Sequence, residues 1–174
     1  MDSKLAIIYL SVFVGILAFV LVNVVRLVFK TRRVEGSFSR LRNKLTKEEG
    51  TMQEYYELAR IYSEKKLYTQ AISLFQKALK SAKQEGEENT SVLYNGLGYV
   101  YFAQDQYDLA IRQYKEALKL NSDYVIAYNN LAHAYEKKNL MAQALQMYEE
   151  VLKREPNNTV AKRRAESLRR LVSV

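Results

Sequence analysis

At 174 residues, with no cysteine and a single histidine, the chain has room for one modest domain and an appendage. Disulfides, thiolate–zinc sites and cysteine catalysis are excluded, and His133 alone cannot build a multi-histidine metal site within one chain. Apolar residues at 48% and charged ones at 26% exclude both a disordered tail and a multi-span membrane protein, and one proline with six glycines points to helices. The net charge of +8 is unevenly placed: zero through residue 25, +7 over 26–47, −4 over 48–152 and +5 over 153–174.

The first element is the run Leu5–Phe29, "LAIIYLSVFVGILAFVLVNVVRLVF". As a helix rising ~1.5 Å per residue it reaches about 37 Å, enough for a hydrocarbon core of ~30 Å with some tilt. Ser11 and Asn23 are tolerable there, and Arg26 is close enough to the end to snorkel. A cleaved signal peptide is the competing reading. Against it, the run exceeds the usual 7–15-residue apolar core, and no small-x-small cleavage site follows. Residues 1–30 are therefore expected to form a transmembrane anchor. Lys4 and Asp2 cancel before the run, whereas Arg26, Lys30, Arg32, Arg33, Arg40, Arg42 and Lys44 follow it. The positive-inside rule then puts the C-terminal part on the cytoplasmic or stroma-like side. On that side the sequons at Asn89 and Asn157 meet no glycosylation enzyme.

Residues 31–50 read as a basic juxtamembrane linker. Val34, Phe38, Leu41 and Leu45 recur at near-helical spacing with basic residues between them. Two readings stay open: a short amphipathic segment on an anionic surface, with ~1 kcal/mol for each basic side chain, or simply the charges that set topology.

A 34-residue period comes next. Leu97-Gly98-Tyr101 recurs as Leu131-Ala132-Tyr135, and Ala110-Tyr114-Ala117 as Ala144-Tyr148-Val151. Upstream, Leu58-Ala59-Tyr62 and Ala71-Phe75-Ala78 keep the internal spacing but sit 39 residues earlier, so about five residues are inserted near "KQEGEENTS". The pattern predicts three helical hairpins beginning near Met52, Ser91 and Val125, over about 52–85, 91–124 and 125–158. Small residues mark where helix backbones approach closely, and an aromatic fills the gap a turn away. "TMQE", Thr51 to Glu54, has the form of a capping box.

These positions resemble the tetratricopeptide repeat (TPR), whose signature runs aromatic, Leu, Gly/Ala and Tyr in helix A, then Ala, aromatic and Ala in helix B, then a closing proline. The likeness covers residues 51–158. The closing proline survives only as Pro156, with Ser122 and Lys83 in its other places. The resemblance implies an all-α fold: three hairpins in a right-handed solenoid plus a C-terminal capping helix, after one N-terminal transmembrane helix. Residues 159–174 are expected to supply the cap, with Ala161, Ala165, Leu168, Leu171 and Val172 on one face and Arg163, Arg164, Arg169 and Arg170 outward. The alternative for those arginines is a patch for anionic lipid, an acidic partner or nucleic acid.

In TPR stacks the concave wall comes from repeat positions 2, 5, 9 and 12 of the A helices. Here these are Gln53, Tyr56, Arg60 and Ser63; Val92, Asn95, Tyr99 and Phe102; and Ile126, Asn129, His133 and Glu136. Tyr56, Tyr99 and Phe102 are of the kind that makes binding hot spots, and Asn95 and Asn129 suit a peptide backbone. The competing reading is that the aromatics fill the inside of a short superhelix. Co-chaperone TPR domains grip a C-terminal carboxylate with Lys, Asn and Arg where this chain has Tyr56, Arg60, Gly96, Ile126 and Asn130, so that clamp is essentially missing. No catalytic reading survives: the "NGLG" glycines follow no strand, His133 has no metal-sharing partner, and Glu149 and Glu150 are helix-surface charges. No cofactor is expected.

The order of a single span, "TRR-EG---RL--KL", "EYYELARIYSEKKLYTQAISLFQKALK" and terminal "PNN--AKRRAESL" is similar to a family of small TPR proteins of cyanobacterial and algal plastid genomes that assist photosystem I assembly. That resemblance implies a thylakoid-bound, non-enzymatic adaptor with its repeats in the stroma or cytoplasm, and photosystem I subunits or assembly intermediates as partners. No nucleic acid is expected. The alternative is a membrane-tethered TPR scaffold or targeting receptor for a different client.

Overall fold

The computed structural model describes residues 2–172. Met1, Ser173 and Val174, the tips of the expected anchor and cap, lie outside the described residues, as do the side chains at positions 2–7, 30, 33 and 34. Among the described residues there are eight α-helices and no strand, so the fold is all-α as the spacing predicts. The chain divides into two compact units, residues 1–44 and 45–174.

The first unit is helix α1, Asp2–Leu45, unbroken from the apolar run through the basic stretch after it. Its stretch Ile8–Phe29 is long and apolar enough to cross a membrane, and none of it is buried within the protein. Two of the polar residues in that stretch, Ser11 and Asn23, bond to the helix itself. Ser11 Oγ donates to the Ile8 carbonyl at 2.8 Å, and Asn23 Nδ2 to the Phe19 carbonyl at 2.8 Å. Such side-chain bonds to the preceding turn lower the cost of these two groups in a hydrocarbon medium, while Tyr9 and Arg26 lie near the two ends of the stretch.

The second unit is a stack of helical hairpins. Helices α2 (Met52–Glu64) and α3 (Tyr68–Glu85) form the first, α4 (Ser91–Phe102) and α5 (Tyr107–Leu120) the second, and α6 (Val125–Lys137) and α7 (Met141–Arg154) the third. Helix α8 (Thr159–Val172) lies on α7. Each A helix packs on its own B helix, and each B helix on the next A. The small residues of the repeat are the most buried: Ala59, Ala71, Ala110, Ala132 and Ala144 have no exposed surface. Gly98 shows why. A Cβ there would sit 2.5 Å from the Tyr114 ring, itself only 1% exposed, so helix α4 is seated against α5 by the absence of a methyl group.

The three hairpin turns share one device that the period did not reveal. Lys66, Asp105 and Asn139 each adopt positive φ, at 60°, 57° and 58°. The residue after each sends its N–H back to a tyrosine carbonyl: Leu67 to Tyr62, Gln106 to Tyr101 and Leu140 to Tyr135, at 2.9, 3.0 and 2.9 Å. This is the Schellman closure, in which a left-handed residue lets orphan helix carbonyls find donors. Asp and Asn tolerate that conformation better than most residues, and Lys66 does not share their short polar side chain.

The inserted residues mostly lengthen a helix, since α3 has 18 residues against 14 in α5 and α7. The extra turn carries Glu85, whose Oε1 accepts from the Met52 N–H at 2.8 Å and from Ser81 Oγ at 2.8 Å. It thereby adds a carboxylate to the N-terminus of α2, where Thr51 and Glu54 already form the capping box. At Ser122, in the place of the closing proline, the loop is fixed from outside. Arg154 donates to the Ser122 carbonyl at 2.8 Å and to Glu150 at 2.8 Å, and lies 4.5 Å over the Tyr128 ring.

The cap differs in part from expectation. Ala161, Ala165 and Leu168 are buried as predicted, but Leu171 and Val172 are exposed because no further helix covers the last turn among the described residues. Nor do all four arginines simply face water. Arg164 turns back to Glu136 on α6, and Arg169 bonds Glu149 on α7 at 2.9 Å, because each finds a carboxylate within reach of its long side chain.

Two substitutions test this packing in thermal melts of the full chain in detergent. Ala110→Leu forces a branched side chain into a filled contact and is expected to lower stability by about 1–3 kcal/mol. Lys66→Gly relieves the left-handed residue and is expected to raise stability by about 0.5–1 kcal/mol. Unchanged melting in either case would contradict the geometry described.

Candidate functional site

Helices α2, α4 and α6 adjoin in that order, so repeat positions 2, 5, 9 and 12 lie along one wall. A side-chain bond crosses between two of them: Asn130 Nδ2 donates to Asn95 Oδ1 at 2.9 Å. The wall is uneven in what it leaves free.

Several of the predicted residues are engaged within the fold. Ser63 is buried and its hydroxyl bonds the Ala59 carbonyl at 2.8 Å. Arg60 pairs with Glu64 at 3.1 Å, and Glu136 with Arg164. Tyr56 is half-buried, its ring 6.1 Å from Phe75. Asn95 gives its acceptor to Asn130, and Tyr124 lies close enough to feel its amide. Burial, then the nearby Tyr56, raises the Tyr124 phenol above its ordinary value, with Asn95 opposing. Asn95 thus serves the joint between the second and third hairpins.

Others remain open. Tyr99 is 51% exposed and Ile126 57%, while Gln53 is exposed and Val92 half-buried. Phe102 is half-buried between Tyr107, at 5.3 Å between ring centres, and His133, at 4.8 Å. Partial burial first, then the charges of Lys137 and Arg164, lower the His133 pKa, which keeps the imidazole neutral at neutral pH. At Gly96 a Cβ would meet the Phe75 ring at 2.5 Å, so an asparagine there would have to displace that buried ring.

Sequence spacing missed the far end of the wall. There a cavity of about 510 Å³ opens between α6, α7 and α8, lined by Asn129, Asn130 and His133 together with Tyr148, Asn158, Val160, Arg163 and Arg164. Burial pushes the Tyr148 phenol up to about 12, so it stays un-ionised. Asn129 has its Oδ1 closed off from solvent with no hydrogen-bond partner among the described residues, and its Nδ2 reaches the Val125 carbonyl only at 3.5 Å. The second and third of these helices enter the wall through long-range packing, which no local pattern encodes.

The lowered His133 pKa fixes a sign. As pH falls below the ordinary value of 6.5 the unfolded chain takes up the proton first, so stability declines through that window and levels off below the folded-state pKa. His133→Gln is expected to flatten that decline in pH-dependent melts, and an unaltered slope would refute the assignment.

Comparison with known proteins gives the family. Two tetratricopeptide-repeat profiles match residues 51–123 and 95–171. The ycf37 protein of Cyanophora paradoxa is 38% identical over 172 residues, covering 99% of each chain. The chloroplastic tetratricopeptide repeat domain-containing protein PYG7 of Arabidopsis thaliana is 33% identical over 92% of this chain and 53% of its own length. Among solved structures, the first TPR of Spaghetti (RPAP3) bound to an HSP90 peptide aligns with a TM-score of 0.65 at 22% identity, over 73% of this chain and 97% of that one, a likeness of fold. Matched along its whole length, apolar helix and repeats alike, the chain belongs to the ycf37 family of tetratricopeptide-repeat proteins.

Proposed function

We propose that the protein is a membrane-anchored adaptor that assists photosystem I assembly or stability by holding client polypeptides on the wall of α2, α4 and α6. The observation that carries this reading is the full-length likeness to ycf37, which includes the apolar helix as well as the repeats. Photosystem I enters through the resemblance to the plastid and cyanobacterial assembly family, and the chloroplastic PYG7 relative supports a plastid setting. Helix α1 is the anchor, crossing the thylakoid membrane once through Ile8–Phe29. The basic residues from Arg26 to Lys44 keep the repeats on the stromal or cytoplasmic side.

Client contact falls first on Tyr99 and Ile126, the large side chains that the fold leaves uncovered, with Gln53, Tyr56, Arg60, Val92, Asn95, Phe102, Asn129 and His133 around them. Tethering confines the wall to the membrane where the clients are inserted, so modest affinity suffices through high effective concentration. The proteins of this repeat class are interaction scaffolds, and the chemistry asked of this one is recognition alone.

The test is a mild-detergent pull-down from the source membranes, comparing wild type with Tyr99→Ala/Ile126→Ser. Both residues are exposed, so the double variant is expected to melt like wild type. Photosystem I subunits or intermediates enriched with wild type and depleted several-fold with the variant are the expected result. Enrichment that survives the variant would place the contact elsewhere. A different client would turn the reading into a scaffold or targeting receptor for that client.

A further inference from the structure

We infer that α1 is a self-association surface: two copies of the chain pair side by side in the membrane, joined by a reciprocal hydrogen bond between their Asn23 amides. The inference rests on α1 crossing the membrane, and the wall of the repeats plays no part in it. It starts from what Asn23 leaves unspent. A side-chain amide offers two N–H donors and one acceptor oxygen. Asn23 uses one donor, on the Phe19 carbonyl at 2.8 Å, and is exposed; its Oδ1 and second N–H have no bond among the described residues. Around it Ile8–Phe29 is apolar and wholly unburied. A hydrocarbon medium supplies no partner for either group, so both call for one on a neighbouring helix.

Position identifies that neighbour. Asn23 stands past the midpoint of Ile8–Phe29, by about 7 Å at a rise of ~1.5 Å per residue, and so well inside a core of ~30 Å. The basic residues that follow the span give every copy the same orientation. A second copy therefore brings its own Asn23 to the same depth, where the acceptor of each amide meets the unspent donor of the other. An antiparallel helix would hold its Asn23 about 14 Å away. The amide is complementary to itself, and a second copy is the partner that matches it in depth without further requirement.

Two faces of the helix contain Asn23 at the 3.5-residue spacing of paired helices. One places it with Tyr9, Phe13, Ile16, Val20 and Leu27, the other with Val12, Ile16, Phe19 and Arg26. The second would set each Arg26 against its twin, so the first is the seam. Ser11, Gly15 and Ala18 lie on the far side, where the one hydroxyl donor is already spent on the Ile8 carbonyl. Pairing through α1 puts two walls at one point of the membrane, which raises the effective concentration that a client with two contacts meets.

Because the chain has no cysteine, each position can be probed with a single introduced one. The full chain is expressed into a bacterial inner membrane, so that insertion sets the orientation, and oxidised with copper phenanthroline. Expected is disulfide-linked dimer at Ile16→Cys, Val20→Cys and Leu27→Cys, and several-fold less at Val14→Cys, Ala18→Cys and Val25→Cys. With Val20→Cys, adding Asn23→Val should lower the dimer yield at least about threefold, the loss of a hydrogen bond between membrane helices. Asn23→Gln keeps the amide and should retain most of the yield. In the source membranes, a photo-crosslinker on Val20→Cys should capture a second copy.

Equal yield around the helix, a maximum at Ala18→Cys, or a yield indifferent to Asn23→Val would each overturn the pairing. Photo-capture of a different membrane helix alone would assign the face to that partner and overturn it as well. Ser3→Cys and Ser37→Cys separate the pairing from the crossing: a membrane-impermeant maleimide should reach the first from outside intact spheroplasts and the second only after lysis. Both reached from one side would overturn the crossing and the pairing with it. Labelling from opposite sides with no preferred face would overturn the pairing and leave the anchor standing.

Discussion

The stack depends on close approach of helix backbones at small residues, each backed by one aromatic ring. Gly98 faces Tyr114, Ala59 shares a buried cluster with Phe75 and Ala132 one with Tyr148, and every one of these is buried. Close-packed interiors tolerate neither a void nor an extra methyl at such points. The rings fill what the small residues leave, and the spacing of the hairpins follows from the fit. With no strand, disulfide or metal-ligating cluster among the described residues, side-chain shape has to do the work that covalent or ladder constraints do in other folds.

How much of this could be read beforehand follows from the range of the interactions. The small-and-aromatic period lies within a single hairpin or between neighbours, so it appears in the sequence as spacing, and the helices follow from it. The apolar run is likewise a local property. The hairpin turns were opaque because Lys, Asp and Asn share no obvious type; only backbone conformation shows that Lys66, Asp105 and Asn139 do the same job. The wall was legible as a set of positions but not as a surface. Whether Asn95 is free depends on Asn130, 35 residues away, and whether Arg164 faces water depends on Glu136, 28 residues away. The cavity needs α6, α7 and α8 together, and no window of the sequence holds them side by side.

The polar exceptions in each unit obey the same rule under different conditions. In α1, Ser11 and Asn23 each turn a donor onto their own helix, which lowers their cost in a hydrocarbon solvent. Within the repeats, Ser63 bonds its own helix in the same way, and buried Ser81 reaches the Gly50 carbonyl outside its helix. Among the described residues, Asn129 Oδ1 is the buried side-chain oxygen that lacks a donor.

The buried side chains of the repeats form two clusters, not one. The first gathers α2, α3 and α4 around Phe75 and Leu97, the second runs from Ala110 on α5 to Leu168 on α8, and Tyr101 touches both. The clusters meet inside the second hairpin, where Gly98 on α4 is seated against the Tyr114 ring on α5. Between neighbouring hairpins the contact of α3 with α4 is lighter than that of α5 with α6, so the first hairpin can open as a unit while the third hairpin and the cap stay closed, as quasi-one-dimensional proteins do when one interface is weaker than its neighbours. Tyr99 sits on α4, at the junction, whereas Ile126 sits on α6, among the helices of the second cluster. A client gripping both would bridge the seam, and its binding energy would appear partly as cooperativity of the whole stack.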